Sequence, residues 1–254
     1  MSNLSVVCVI FTFLVSLILP PVFLVIYALR HKKQGIWSAW LLGAAGFVVP
    51  QICIRLQLLN VLSARAGFQE FTQTHPVLYA LGMAFSAGLF ELAGRFAVAM
   101  LLRKKLTYRR ALAAGLGHGG IEAMLIVGMA YINNLVFLAL IQTGGFDAFV
   151  AQTAAAGVDV TYLKTIPDTL AATPSVLYLL AGFERLLTMT CHAAMSMLVC
   201  YGVHSGKAAP TIFAFVMHAC MDSVASISLC IGKGLSLATA YTIIYVLLVI
   251  PKNQ

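Results

Sequence analysis

Ionisable side chains recur four residues apart inside otherwise apolar stretches of this sequence. The pairs are Glu91 with Arg95, His118 with Glu122, and His218 with Asp222. A charge near the centre of a lipid bilayer costs at least about 2.5–3.5 kcal/mol, so such groups normally face the interior of a helical bundle. Residues at positions i and i+4 share one face of a helix, so both members of each pair can point toward a common centre.

A fourth apolar stretch carries Glu184, Arg185 and His192. Counting inward from the basic ends of the stretches places two sets of side chains about two and about three helical turns deep. The shallower set is Arg95, His118 and His218, and the deeper set is Glu91, Glu122, His192 and Asp222. Glu184 lies nearer the outer face. The pattern predicts one buried polar site within a single slab of the membrane.

Each pair taken alone also has a structural interpretation. Glu91 and Arg95 could neutralise each other along one helix, and the glycines around His118 could let two helices cross closely. His218 and Asp222 could hold two helices together through a hydrogen bond. Three such pairs at one depth on separate helices favour a functional site.

Two kinds of chemistry suit such a site. The imidazoles of His118, His192 and His218, with a carboxylate, could hold a zinc ion and leave one position open for water. Alternatively, a buried glutamate could act as a general base on water while His and Asp polarise a substrate carbonyl. The sequence contains no His-Glu-x-x-His and no Gly-x-Ser-x-Gly motif, so neither a helical zinc-protease signature nor a nucleophilic serine is indicated.

The composition excludes an ordinary soluble domain. Hydrophobic residues make up 61% of the 254 residues and charged residues only 9%, whereas soluble domains contain about 25% charged residues. The net charge of +8 arises mostly from basic residues in short loops, such as 30–36 and 103–110. This is the positive-inside pattern and does not indicate nucleic-acid binding. We expect one all-α domain over residues 1–254 in the cell membrane, in bacteria the plasma membrane.

Hydropathy predicts about seven transmembrane helices. The predicted spans are 4–29, 37–58, 76–102, 111–140, 176–203, 210–230 and 234–250. The alternation of loop charge places the N-terminus outside and the C-terminus inside. The Pro20-Pro21 pair predicts a kink in the first span. The outer segment 141–175 is either a short amphipathic lid or a plain solvated loop.

At these residues the chain resembles the YhfC-type membrane peptidases. The resemblance extends to a superfamily that includes the type II CAAX prenyl endopeptidases and Abi proteins, the PrsW proteases and the Aph subunit of gamma-secretase. The family pattern Glu-Glu-x-x-x-Arg, a later His, and His-x-x-x-Asn/Asp is matched by Phe90-Glu91 through Arg95, by His192, and by His218 through Asp222. His118 through Glu122 and Glu184-Arg185 look like further motifs of the YhfC branch.

The resemblance implies an intramembrane protease that hydrolyses a peptide bond within or beside the membrane. Phe90 stands where the CAAX branch has the glutamate that activates water. Either Glu91, Glu122 or Glu184 takes that role here, or the protein has kept the fold and lost proteolysis, like the Aph subunit of gamma-secretase. We interpret Glu91 as the base or water-holding residue and Arg95 as the residue that orients it. His118, His192 and His218 are candidates for metal ligands or oxyanion donors.

Glu122 and Asp222 orient or complete this site, and Glu184 and Arg185 are further candidates. The cofactor is either none or one divalent metal ion, with zinc the most plausible. The expected partners are a membrane protein or peptide substrate and the lipid bilayer.

Two other classes of function fit the same residues. One is a non-catalytic membrane scaffold or immunity-type protein, whose buried pairs fix the packing of the helices. The other is a proton-coupled carrier, because rows of His and carboxylates also form proton relays. The carrier is disfavoured because no inverted repeat is visible and the polar groups do not extend through the whole membrane.

Overall fold

The computed structural model describes residues 1–230, and this part of the chain is built from helices without strands. Six helices are long and apolar enough to cross a membrane, and three short ones connect them. In chain order they are α1 (Asn3–Arg30), α2 (Ile36–Ser63), α3 (Ala66–Thr74), α4 (Pro76–Lys105), α5 (Tyr108–Gln142), α6 (Phe146–Ala155), α7 (Thr161–Ala172), α8 (Ser175–Ser205) and α9 (Ala208–Cys230). The long helices confirm the first six predicted spans. The seventh, 234–250, lies outside the described residues.

Wide helical turns interrupt three of the long helices. They are π-helical segments at Leu14–Ile18 in α1, Val48–Arg55 in α2 and Ala123–Gly128 in α5. The first ends two residues before Pro20 and the second contains Pro50. Proline has no backbone N–H, and a π turn lets the helix continue past the missing hydrogen bond. The predicted disturbance near Pro20-Pro21 is therefore a wide turn within one helix.

Small residues bring the long helices into close contact. A Cβ atom added at Gly43 of α2 would overlap the carbonyl oxygen of Ala114 on α5, and one at Gly117 of α5 would overlap that of Trp40. Helix α2 packs extensively on α5, α5 on α8, and α4 on α9. These contacts place α4, α5, α8 and α9, which carry the ionisable pairs, around one interior.

The outer segment is helical. Phe146 of α6 and Ile166 and Leu170 of α7 are buried in an apolar cluster, and the Tyr178 hydroxyl donates a hydrogen bond to the Leu170 carbonyl oxygen, 3.2 Å away. At the start of α7, the Thr161 hydroxyl and backbone N–H donate to Asp159 and hold the pKa of that carboxyl below its ordinary value. The expectation of a plain solvated loop is wrong, and the amphipathic alternative describes the packing.

Topology gives a direct experimental prediction. We expect a cysteine placed at Lys104, in the basic turn that ends α4, to react with an impermeant maleimide only from the cytoplasmic side. A cysteine at Ala156, just after α6, should react only from outside. Both substitutions are made in a chain whose six native cysteines are replaced by alanine, with labelling of intact cells and inverted vesicles compared. Labelling of position 104 from outside would contradict the predicted orientation.

Candidate active site

The carboxylate of Glu91, in the middle of α4, is the centre of a buried polar network. Three donors converge on its Oε2 atom: Arg95 Nη2 at 3.0 Å, His118 Nε2 at 3.0 Å and His218 Nε2 at 2.9 Å. Gln51 Nε2 donates to Oε1 at 3.4 Å. The Glu91 side chain is only 4% exposed. The network therefore joins α2, α4, α5 and α9 through one carboxylate.

His192 of α8 completes this centre. Its ring lies 5.4 Å from that of His118 and 5.5 Å from that of His218, measured between ring centroids. Arg95 Nη2 donates to its Nδ1 at 2.5 Å. Because arginine has no acceptor, a neutral His192 carries its proton on Nε2, which lies 2.8 Å from Glu122 Oε2. Arg95 thus bridges Glu91 and His192.

A second charged group adjoins the first. Arg185 Nη2 donates to Glu184 Oε1 at 2.5 Å, and Arg185 Nη1 lies 3.5 Å from Glu122 Oε1. On the other side, Asp222 Oδ2 lies 3.4 Å from His218 Nδ1. Glu122 links the two groups, since its second oxygen faces His192. The adjacent residues Glu184 and Arg185 contact each other although they start from different sides of the helix, because the arginine side chain is long.

The structure brings all nine predicted site residues together. The spacing placed both members of each pair on one helical face, and contacts within one helix form between Glu91 and Arg95 and between His218 and Asp222. Within residues 1–230, no hydrogen bond or ion pair joins His118 to Glu122; His118 contacts Glu91, and Glu122 contacts His192 and Arg185. Partners on neighbouring helices therefore replace the partner expected one turn away.

A cavity of about 320 Å³ opens onto this network. Glu91, Glu122, His192, His218 and Asp222 face it. Its wall also includes residues that sequence reasoning missed, namely Gln51 and Arg55 on the π turn of α2. Both residues could have been found from the sequence by the same spacing as the ionisable pairs, since they are two polar side chains four residues apart in an apolar span.

The donor set fits a metal ion. Ligand atoms of Glu91, His192 and His218 lie within 4.8 Å of one another, and all three residues are buried. Two ligands of one zinc ion, each about 2.0–2.2 Å from it, lie at most about 4.4 Å apart, so side-chain movements would close the set. His192 would also give up its contact with Arg95 or with Glu122, because a neutral imidazole has a single lone pair for the ion. His118, also predicted as a ligand, lies outside this group of three, although its Nε2 and that of His218 both donate to Glu91 Oε2.

The balance of charge also favours a cation. Four carboxylates face the cavity, and three guanidinium groups lie within or beside it. The carboxylates are those of Glu91, Glu122, Glu184 and Asp222, and the guanidinium groups are those of Arg55, Arg95 and Arg185. With neutral imidazoles, one negative charge is left without a compensating partner among the described residues. A buried unpaired charge is costly, and a bound divalent cation would compensate it and leave one positive charge in excess. In such a site, Asp222 would orient His218, as carboxylates behind metal-bound histidines do.

The fold and this cluster define a multi-pass helical membrane protein with an enclosed polar centre suited to a metal ion. The chain belongs to the YhfC family, since the model of the YhfC intramembrane metalloprotease family matches residues 15–245. It is similar to the uncharacterised membrane protein YhfC of Bacillus subtilis (strain 168). The identity is 29% over 201 residues, covering 78% of this chain and 76% of that protein. No solved structure matches the chain.

Proposed function

We propose that the protein is an intramembrane metalloprotease that hydrolyses a peptide bond at the cavity next to Glu91. The observation that carries the proposal is the convergence of Glu91, His192 and His218, three buried metal-ligand side chains, on a cavity inside a membrane bundle. The description of the YhfC family supports the same chemistry. A divalent ion held by these residues would act as a Lewis acid and acidify a bound water.

The contacts argue against Glu91 as the general base, and its place beside His192 and His218 favours a ligand role instead. Its two oxygens already accept hydrogen bonds from Arg95, His118, His218 and Gln51. A carboxylate held by four donors is a weak proton acceptor, because each hydrogen bond stabilises its ionised form. Arg95 keeps Glu91 and His192 at a fixed separation.

Glu122 is the better candidate for the proton acceptor. Its side chain is 13% exposed at the cavity, against 4% for Glu91, so a water molecule and a substrate can reach it. Arg185 orients one oxygen and His192 faces the other. Glu122 can take a proton from the attacking water and return it to the leaving amine, as a general base and acid does.

Metal content tests the proposal directly. We expect the purified chain to retain about one zinc ion, as a single site with open coordination does. In liposomes it should cleave members of a pool of synthetic single-span peptides, with new termini read by mass spectrometry. Treatment with 1,10-phenanthroline should stop cleavage, and added zinc should restore it.

His218→Ala provides the matched test of the ligand set. It should lose both the metal and the cleavage, because it removes a ligand and leaves Asp222 without a partner. His204→Ala, at the exposed end of α8, should retain both. Cleavage that resists the chelator, or a His218→Ala variant that keeps its metal, would contradict the proposed function.

A further inference from the structure

Arg55 is a buried guanidinium group on the cavity wall that no carboxylate neutralises at close range. Its side chain sits on the π turn of α2 and the residue is only 6% exposed. Nε donates to Ser86 Oγ at 3.1 Å and Nη2 to the Met83 carbonyl oxygen at 2.8 Å, both on α4. Within residues 1–230, no carboxylate oxygen lies within 4.0 Å of it.

The remaining nitrogen of Arg55 is directed to the cavity. Nη1 has no hydrogen-bond partner among the described residues. It is not enclosed by other atoms either, so it stays accessible from the cavity that Arg55 lines. Arginine presents its N–H groups in a planar fork that matches a carboxylate. Nη1 can therefore donate its N–H groups to an anionic group that enters the cavity.

Gln51, four residues earlier on the same turn, offers the complementary group. Its Nε2 donates to Glu91 Oε1, which fixes the orientation of the amide because the carboxylate requires a donor. This leaves Gln51 Oε1 as a buried acceptor without a hydrogen-bond partner among the described residues. Gln51 Oε1 is enclosed, so it becomes the acceptor beside the Arg55 donor when the Gln51 side chain turns toward the cavity that both residues line.

A peptide carries the matching pair of groups. We propose that Arg55 and Gln51 form a substrate subsite in which Arg55 binds a peptide carboxylate and Gln51 accepts a main-chain N–H next to it. This inference rests on the proposed function, because it assigns the substrate class of that same cavity. The protease would select peptides with a carboxylate close to the scissile bond, either the free C-terminus or an acidic side chain.

The charge of the loaded site agrees with this selection. Without a metal, the described residues around the cavity carry one carboxylate more than guanidinium groups. A bound divalent ion turns this into an excess of one positive charge. In a site of low dielectric constant, one anionic substrate group would restore neutrality. Arg55 is the guanidinium group left for it, because Arg95 and Arg185 already contact carboxylates.

Binding of small peptides tests the subsite without requiring hydrolysis. The probe pair is N-acetyl-Leu-Phe with a free carboxylate and the same compound as its C-terminal amide. A second pair, N-acetyl-Leu-Asp-amide and N-acetyl-Leu-Asn-amide, places the carboxylate on a side chain. Thermal unfolding of the full chain in detergent reports binding, because a ligand that binds only the folded state raises the Tm.

We expect the wild-type chain to bind the carboxylate form of at least one pair at least tenfold more tightly than the neutral form. The pair that shows the larger preference identifies the source of the carboxylate. Arg55→Gln should abolish the preference, and Arg55→Lys, which keeps the charge without the fork, should reduce it. Arg65→Gln, an exposed arginine before α3, should leave it unchanged.

Two outcomes would overturn the subsite. One is equal binding of both forms by the wild-type chain, a result that does not depend on whether the variants fold. The other is a carboxylate preference that survives in Arg55→Gln. Repeating the series after metal removal excludes direct binding of the carboxylate to the ion. A carboxylate preference in a chain that neither holds metal nor cleaves peptides would refute the proposed function and leave the subsite intact. Metal-dependent cleavage without a preference for carboxylate peptides would support the proposed function and refute the subsite.

Discussion

Replacing Glu91 with glutamine is expected to lower the rate of peptide hydrolysis by about 10²-fold or more and to remove most of the bound metal. The substitution keeps the shape of the side chain and removes its charge. Glu91 Oε2 accepts from Arg95, His118 and His218, so the new carbonyl oxygen must occupy that position. The new amide nitrogen then takes the place of Oε1.

The site can accommodate that nitrogen because of Gln51. In the native chain Gln51 Nε2 donates to Oε1, and Gln51 Oε1 has no partner among residues 1–230. Rotation of the Gln51 amide by half a turn would present its oxygen to the new N–H group. Glu91→Gln therefore keeps its hydrogen bonds, and its main structural cost is the loss of the charge opposite Arg95.

That cost is expected to be large enough to measure. Removing one partner of a buried ion pair destabilises proteins by about 3–5 kcal/mol, because the other charge remains buried and unpaired. We expect a lower Tm for Glu91→Gln, and a second substitution, Arg95→Met, should recover most of it by removing the unpaired charge. Metal binding and hydrolysis should stay lost in the double variant.

The double variant separates the two roles of Glu91. If Glu91 is purely structural, the double variant should match Arg95→Met alone in metal content and hydrolysis, whereas a ligand role predicts that the double variant loses more of both. Glu70→Gln, which removes an exposed carboxylate on α3, serves as the control and should match the wild type in all three measurements. Wild-type hydrolysis and metal content in Glu91→Gln would show that the centre lies elsewhere, with Glu122 the next residue to replace.

The sequence predicted the elements and the membership of the site because both depend on the cost of polar groups in a membrane. Apolar runs define α1, α2, α4, α5, α8 and α9, and ionisable residues within four of them face the interior because lipid excludes them. His118, His192 and His218 meet for this reason. The same rule, applied to Gln51 and Arg55, would also have found the wall contributed by α2.

The partners within the site could not be predicted in the same way. The i, i+4 rule describes two side chains on an isolated helix, where Glu122 is the neighbour of His118. In the bundle, α4 and α8 bring Glu91 and His192 within hydrogen-bond distance of these two residues, at 3.0 Å and 2.8 Å. The π turn of α2 also changes which residues face inward, because it has more residues per turn than an α-helix.

A close helix crossing next to the site leads to the last prediction, Gly94→Ala on α4. A Cβ atom at this position would overlap the carbonyl oxygen of Gly46 on α2 and would lie 2.8 Å from Pro50 Cγ. Neither neighbour is the flexible end of a side chain, so the two helices must separate. Overpacking of this kind costs about 1–3 kcal/mol, and we expect a value at the upper end because the obstacle is backbone.

The separation should also reach the cavity. Pro50 belongs to the π turn that carries Gln51 and Arg55, while Gly94 is the residue before Arg95. Moving α2 away from α4 lengthens the hydrogen bond between Gln51 and Glu91. It also lengthens the hydrogen bonds from Arg55 to Ser86 and Met83 of α4. We therefore expect Gly94→Ala to lower both the Tm and the affinity for the metal and for peptide carboxylates.

Gly82→Ala, on the same helix, is the matched control for Gly94→Ala. A Cβ atom at Gly82 meets nothing within 4 Å, so the substitution adds a better helix former without a clash. Replacing glycine by alanine at such a compatible helical position stabilises a protein by about 0.4–1 kcal/mol. Thermal unfolding of both variants in the same detergent should shift the Tm in opposite directions. Equal Tm values would show that α2 and α4 are not in contact at Gly46 and Gly94, and the wall formed by Gln51 and Arg55 would then lack its support.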